Sequence, residues 1–204
     1  AALRFLDHTP PNLGEVRDSL VHIVENDKRA SEVIRRLRSM LRKEKQDYDA
    51  LAINEIVHDV LRLINSDILN RGISASTELA PDLPTISGDR VQLQQVLLNL
   101  VINACDAMQG MPGERTLTVR TFLAAGPAIE VAISDVGQGI PADDLERIFN
   151  PFVTTKSEGI GLGLAICRSI IQSHRGKLWA TNNEGSGSTL HFTLPADPDP
   201  PSRH

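Results

Sequence analysis

The chain has 204 residues, 41% of them hydrophobic, enough to bury the core of one sizeable domain with room for an accessory element. Its net charge of −5 argues against a polyanion-binding surface, because affinity for nucleic acid rests on Lys and Arg neutralising phosphates, so nucleic acid is not an expected partner. Only two cysteines occur, and no signal peptide or apolar run of membrane-spanning length is present, so we expect a soluble chain in a reducing, cytoplasmic compartment.

The first residues, "AALRFLDHTPPN", read as the last turns of a helix broken at Pro10 and Pro11. A long helix follows, with Leu20, Val24, Ala30, Ile34, Leu37 and Leu41 at helical spacing. Its other faces carry Arg29, Arg35, Arg36, Arg38 and Arg42, which read either as a solvated face or as a docking surface for an acidic partner. Such a narrow apolar seam needs a partner helix. The composition shifts after "RKEKQDYDA", so a boundary is expected near residues 46 to 50.

Beyond it the pattern predicts a helix from about Leu51 to Arg71, closed by Gly72, and a short strand around "ISASTEL". A helix from about Asp89 to Met108 comes next, with Asp89 as its cap. "TLTVRTF" and "AIEVAISD" alternate with period two, and Ile129, Val131 and Ile133 share one face. After a glycine-rich stretch a further helix runs to about His174, and "GKLWATN" and "GSTLHFTL" read as strands paired through the turn "NEGSG". Helices and strands intermix without regular βαβ alternation. The expected fold is therefore α+β, a helix layer on a largely antiparallel sheet. The tail "ADPDPPSRH" is too polar and Pro-rich to pack, and Cys105 and Cys167 read as small buried thiols within apolar helical patterns.

Three stretches carry chemistry. In "EGIGLGLAI" the glycines Gly159, Gly161 and Gly163 run into a helix start. A dinucleotide fingerprint requires a strand feeding GxGxxG, but the residues ahead are the polar "FVTTKSE" and the spacing is GxGxG. A Walker loop requires Lys after its glycines, whereas Lys156 precedes them. What remains is a flexible segment whose helix-start amides and dipole favour phosphate oxygens. In "SDVGQGIP", Asp135 sits at a strand end ahead of Gly137 and Gly139, where a carboxylate can accept from an exocyclic amine and glycines let a flat base approach the backbone. An ordinary Asp and Gly turn is the competing reading. The helix "LQQVLLNLVINACDAM" sets an apolar stripe of Leu97, Leu100, Val101, Ala104, Cys105 and Met108 against a polar stripe of Gln95, Asn99, Asn103 and Asp106. Asparagine is a poorer helix former than Lys or Glu, so two of them on one face favour oxygen ligands for a hard cation such as Mg²⁺ over a merely solvated face.

In this order and at these spacings, "NLVINA", "DVGQG", "FNPF" and "GIGLGL" resemble the asparagine box, first glycine box, phenylalanine box and second glycine box of the sensor histidine kinase ATP-binding domain. The resemblance covers roughly residues 50 to 195, and "TTKSEGIGLGLAICRSII" is most similar to the nitrogen- and oxygen-sensing branch of the family. It implies the two-layer α/β sandwich shared with gyrase and chaperone ATPases over residues 50–196, a disordered tail over 197–204, and a partial dimerisation and histidine-phosphotransfer hairpin over 1–46. By position it implies that Asn103 coordinates Mg²⁺ bridging the ATP phosphates, with Asn99 one turn earlier in support. Asp135 would accept from the adenine amine, Gly137 and Gly139 line the base, and Thr189 reach the adenine site through water. Phe149 and Phe152 would pack the base of a lid whose Thr154, Thr155 and Lys156 close over the phosphates ahead of Gly159, Gly161 and Gly163. The implied function is transfer of the ATP γ-phosphate to a histidine, for relay to an aspartate of a response regulator, by a bacterial cytoplasmic homodimer joined through the hairpin.

The sequence departs from the family in two places. No histidine followed by an acidic residue occurs near the start: His8 lies at a turn, and the "VHDV" at His58 falls after the second hairpin helix. The phosphoacceptor, and any membrane anchor, is therefore expected in an upstream segment, and the chain alone is not expected to label itself. Asp106 stands where some members carry a phosphate-contacting lysine, which would leave Lys156 to supply that charge. Related ATPases of this fold place a water-activating glutamate one turn before the metal asparagine; Asn99 cannot act as a general base, which favours transfer over hydrolysis and leaves a serine kinase of the same fold as the other enzyme reading.

Overall fold

The computed structural model describes residues 48–154 and 160–197. The chain divides into two units between Glu44 and Lys45; the long arginine-bearing helix expected before that point lies outside the described residues, as does the tail beyond Asp197.

Seven strands and three helices follow in the order β1 (Asp49–Leu51), α1 (Ile53–Asn70), β2 (Ile73–Leu79), β3 (Ile86–Gly88), α2 (Arg90–Ala107), β4 (Arg115–Leu123), β5 (Ala128–Ser134), α3 (Gly163–Ser173), β6 (Lys177–Asn182) and β7 (Ser188–Pro195). Two 3₁₀ turns, Ala142–Asp144 and Arg147–Phe149, lie between β5 and α3. Five strands form one sheet in the order β2-β4-β5-β7-β6, in which only the β2–β4 pair is parallel. The largely antiparallel α+β reading therefore holds.

Each helix forms because its apolar residues recur at the helical period and have a sheet face to cover. On α1 these are Ile53, Ile56, Val57, Val60 and Ile68. The helix stops at Arg71, after which Gly72 takes φ +65, a left-handed conformation that glycine alone adopts without cost. On α2 the buried set is Leu93, Val96, Leu97, Leu100, Val101, Ala104 and Cys105, and the Asp89 side chain caps the start by accepting from Val91 N at 2.9 Å and Gln92 N at 3.1 Å. The helices cover the sheet face carrying Leu117, Val119, Ile129, Val131, Ile133, Leu190, Phe192 and Leu194, all buried. Each such side chain contributes about 1.5–3 kcal/mol of transfer free energy.

Polar links set the helices on that face. Asn54 of α1 accepts from the buried Thr121 hydroxyl of β4 at 2.7 Å and donates to Ala80 O at 2.9 Å. Helices α1 and α2 run parallel, joined by Arg90–Asp59 at 2.7 Å at one end and Arg71–Asp106 at 2.6 Å at the other.

The structure corrects one expectation about elements and adds a strand pair the sequence did not show. Leu51 belongs to a strand rather than to the first helix, and β1 pairs with β3 as a small antiparallel sheet of its own, Asp49 opposite Gly88. Three-residue strands leave no alternation to read.

Candidate nucleotide site

Strand β5 ends at Ser134, and the next residue, Asp135, is only 3% exposed. Its backbone N–H extends the ladder to Ser188 O at 2.9 Å, which turns the carboxylate inward. Oδ1 accepts from Gly137 N at 2.8 Å and Ser188 N at 3.3 Å, and Oδ2 accepts from the Ser188 hydroxyl at 2.9 Å. None of the ion pairs among the described residues involves Asp135. A buried carboxylate is tolerated only with such donors, and with about four acceptor positions available, one on Oδ2 is left for a further N–H.

The loop after Asp135 is held from several sides. A Cβ at Gly137 would lie 2.5 Å from Ala107 O, so glycine here lets the loop press on the last turn of α2. The structure thus gives Gly137 a packing reason of its own. Gly139 has φ +73, and the Asn182 amide grips the next residue in both directions, accepting from Ile140 N at 2.8 Å and donating to Ile140 O at 2.6 Å. Asn183 donates to Asp135 O at 2.8 Å and accepts from the Thr189 hydroxyl at 2.6 Å. With its proton spent there, Thr189 meets Ser134 Oγ, also at 2.6 Å, as the acceptor; it is a buried strut of the site and keeps only lone-pair capacity for a bridging water.

Along α2, Gln95, Asn99, Asn103 and Asp106 are all half-buried, which does not suit the solvated-face reading. Asp106 is tied to Arg71, whose guanidinium is held above its ordinary pKa first by that hydrogen bond, and with help from Asp67 and Asp106 charge. On the opposite side of the helix, burial pushes the Cys105 thiol up, against the pull of Arg71.

The second glycine stretch is described from Ile160 onward; Thr155, Lys156 and Gly159 lie outside the described residues, and Thr154 is exposed. Gly161, at φ +70, has backbone of Phe152 and Val153 within 2.6–2.7 Å of where a Cβ would stand, and its carbonyl accepts from Phe152 N at 2.9 Å. Phe149 is buried as expected, but Phe152 is 73% exposed at φ +66, so its ring does not pack the base of this loop. Gly163 differs from Gly161. It opens α3 with ordinary helical backbone, and no described residue lies within 4 Å of an added Cβ. No side chain caps α3 at Leu162. Open space at an uncapped helix start, with glycine where neither backbone nor packing asks for it, fits a ligand that comes close to the amides.

Sequence reasoning missed Ser188, Asn182, Asn183 and Gly187, which place Asp135. Gly187, at φ +86, has no room for a Cβ against the Asp135 carbonyl oxygen. Only the spacing of "NNEGSGS" after a strand hinted at them.

Residues 88–198 match the family described as Histidine kinase-, DNA gyrase B-, and HSP90-like ATPase. Sensor histidine kinase TmoS of Ectopseudomonas mendocina is 33% identical over 197 residues, 96% of this chain and 20% of that protein. Sensor protein FixL of Bradyrhizobium diazoefficiens is 37% identical over 186 residues, 91% of this chain and 37% of that protein. The chain thus spans between a fifth and about two fifths of these relatives' lengths. Among solved structures, histidine kinase ThkA in complex with response regulator protein TrrA is 27% identical, with a TM-score of 0.69 over 96% of this chain and 55% of that one.

Proposed function

The chain belongs to the family of histidine kinase-, DNA gyrase B- and HSP90-like ATPases, with the sensor histidine kinases as its relatives, and from that premise we propose how its site holds ATP and to what end. Adenine lies at Asp135, where the free Oδ2 position accepts from the exocyclic amine. The triphosphate runs toward the start of α3 at Gly161 and Gly163, with Thr154, Thr155, Lys156 and Gly159 closing over it. Asn103 supplies an oxygen to Mg²⁺, supported by Asn99; the metal would neutralise phosphate charge and orient the γ-phosphoryl group. Gly137 and Gly139 shape the base pocket, and Thr189 steadies its floor.

The observation that carries this reading is the Asp135 carboxylate, buried without a counter-charge among the described residues and held by three donors. Its three donors offset the desolvation cost only in part, and an uncompensated buried charge of this kind points to a functional site. The half-buried amide stripe and the open Gly163 position fit the metal and the phosphates.

Since Asn99 offers no base for water, the γ-phosphate passes to a histidine of the dimerisation hairpin and on to an aspartate of a response regulator, in a cytoplasmic homodimer. The ThkA–TrrA complex supports that partner class. No helix of the described residues is long and apolar enough to cross a membrane.

Titration with ATP, with and without Mg²⁺, tests the metal assignment. Asn103→Ala is expected to abolish most of the Mg²⁺-dependent part of the affinity and to leave the metal-free part. A variant that binds Mg²⁺-ATP like the parent would return the amide stripe to a structural role.

A further inference from the structure

Asp106 poses a problem for the polar stripe of α2. It stands three residues beyond Asn103, one helical turn along, at the helix end whose carbonyls carry the negative pole of the dipole. A bare carboxylate there would repel a triphosphate brought to Asn103.

It is not bare. Arg71, the residue that caps α1, donates from Nη1 to Asp106 Oδ1 at 2.6 Å and from Nε to Asp67 Oδ2 at 2.8 Å. Arg115 fixes Arg71 in turn, donating from Nη1 to Arg71 O at 3.0 Å while its Nε and Nη2 both reach Met111 O just past α2. Two guanidinium groups therefore sit at the end of α2. The Arg71 and Asp106 side chains are 33% and 25% exposed, so the pair registers α1 against α2 while adding little to stability.

We propose that Arg71 is a positioning residue for the nucleotide phosphates: sharing its guanidinium between Asp67 and Asp106, it offsets part of the Asp106 charge, so that the asparagine stripe meets the triphosphate against less competing negative charge. The inference rests on the nucleotide reading above. It takes a residue 35 positions from Asp106 in sequence and gives it a part in binding without contact to ligand.

The test is a set of variants titrated with Mg²⁺-ATP, ADP and adenosine, each also melted thermally. Arg71→Gln is expected to weaken Mg²⁺-ATP roughly tenfold, ADP less and adenosine not at all, because the unmasked charge acts only on phosphates. Adding Asp106→Asn to that variant is expected to restore ATP to within about twofold of the parent although the ion pair stays broken. Asp106→Asn alone, with Arg71 released, is expected to tighten Mg²⁺-ATP, and more so at low salt. This single variant keeps the proposal testable should Arg71→Gln not fold. A parent that binds no Mg²⁺-ATP would sink the nucleotide reading and this proposal with it. With a binding parent, unchanged ATP affinity in Arg71→Gln, parallel losses for ATP and adenosine without rescue, or weaker ATP binding in Asp106→Asn would each overturn the proposal alone.

Discussion

Gly163 is free of the backbone demands that hold Gly161 and Gly137 as glycines among the described residues. Gly161 cannot carry a side chain because the backbone of Phe152 and Val153 occupies the space, and Gly137 cannot because α2 ends there. Gly163 could, since its backbone is helical and the space beside it is open. Gly163→Ala is therefore expected to raise stability by up to about 1 kcal/mol, as at other compatible positions, while weakening ATP binding by roughly tenfold. Urea melts and an ATP titration on the same sample check both halves. A variant with unchanged ATP affinity would free the position from the phosphates. Asp135→Asn can keep its oxygen toward Gly137 N and Ser188 N by turning its N–H₂ to the Ser188 hydroxyl, which then accepts, so the substitution reverses the open acceptor position but also rearranges the Ser188 contact. The identities of Asp135, Asn103 and the glycines were legible because they fall in short runs. Ser188 and Asn183 were not, because they meet Asp135 from 53 and 48 positions away.

At the scale of elements, the long periodic helices were legible to within two residues, and Asp89 was legible as a cap, because period and capping chemistry are local. The β1–β3 pair was not, since its three-residue strands are stabilised by each other and by the Ile86–Ala196 bridge, all distant in sequence. Helix α1 also gives half of the "HD" pair at His58 a packing role. His58 is exposed on that helix, and the carboxylate of Asp59 is engaged by Arg90 at 2.7 Å to hold α1 on α2. Asp59 thus serves helix packing, and the pair sits within the unit that begins at Lys45, not in the one before it. His58→Gln in the full-length protein is expected to leave autophosphorylation from γ-labelled ATP unchanged, read as acid-labile label. Loss of that label would make His58 the acceptor.

For the whole molecule, the layer of three helices on a five-stranded sheet brings the end of β5, the last turn of α2 and the turn into β7 together around one carboxylate. The fold class was legible from the irregular mixing of strands and helices. The strand order was not, because β7 slots between β5 and β6, a choice made by the tertiary core. What this architecture delivers is a buried acceptor at Asp135 with one position open, and the account stands on that position reading an amine. Calorimetric titration of the unaltered chain with ATP and with purine riboside triphosphate, which lacks only the exocyclic amine, tests it without disturbing the protein. Losing a hydrogen bond to a charged acceptor costs about 1.5–3 kcal/mol, so the analogue is expected to bind roughly 10- to 150-fold more weakly than ATP. Equal affinity for the two would show that Asp135 does not read the base.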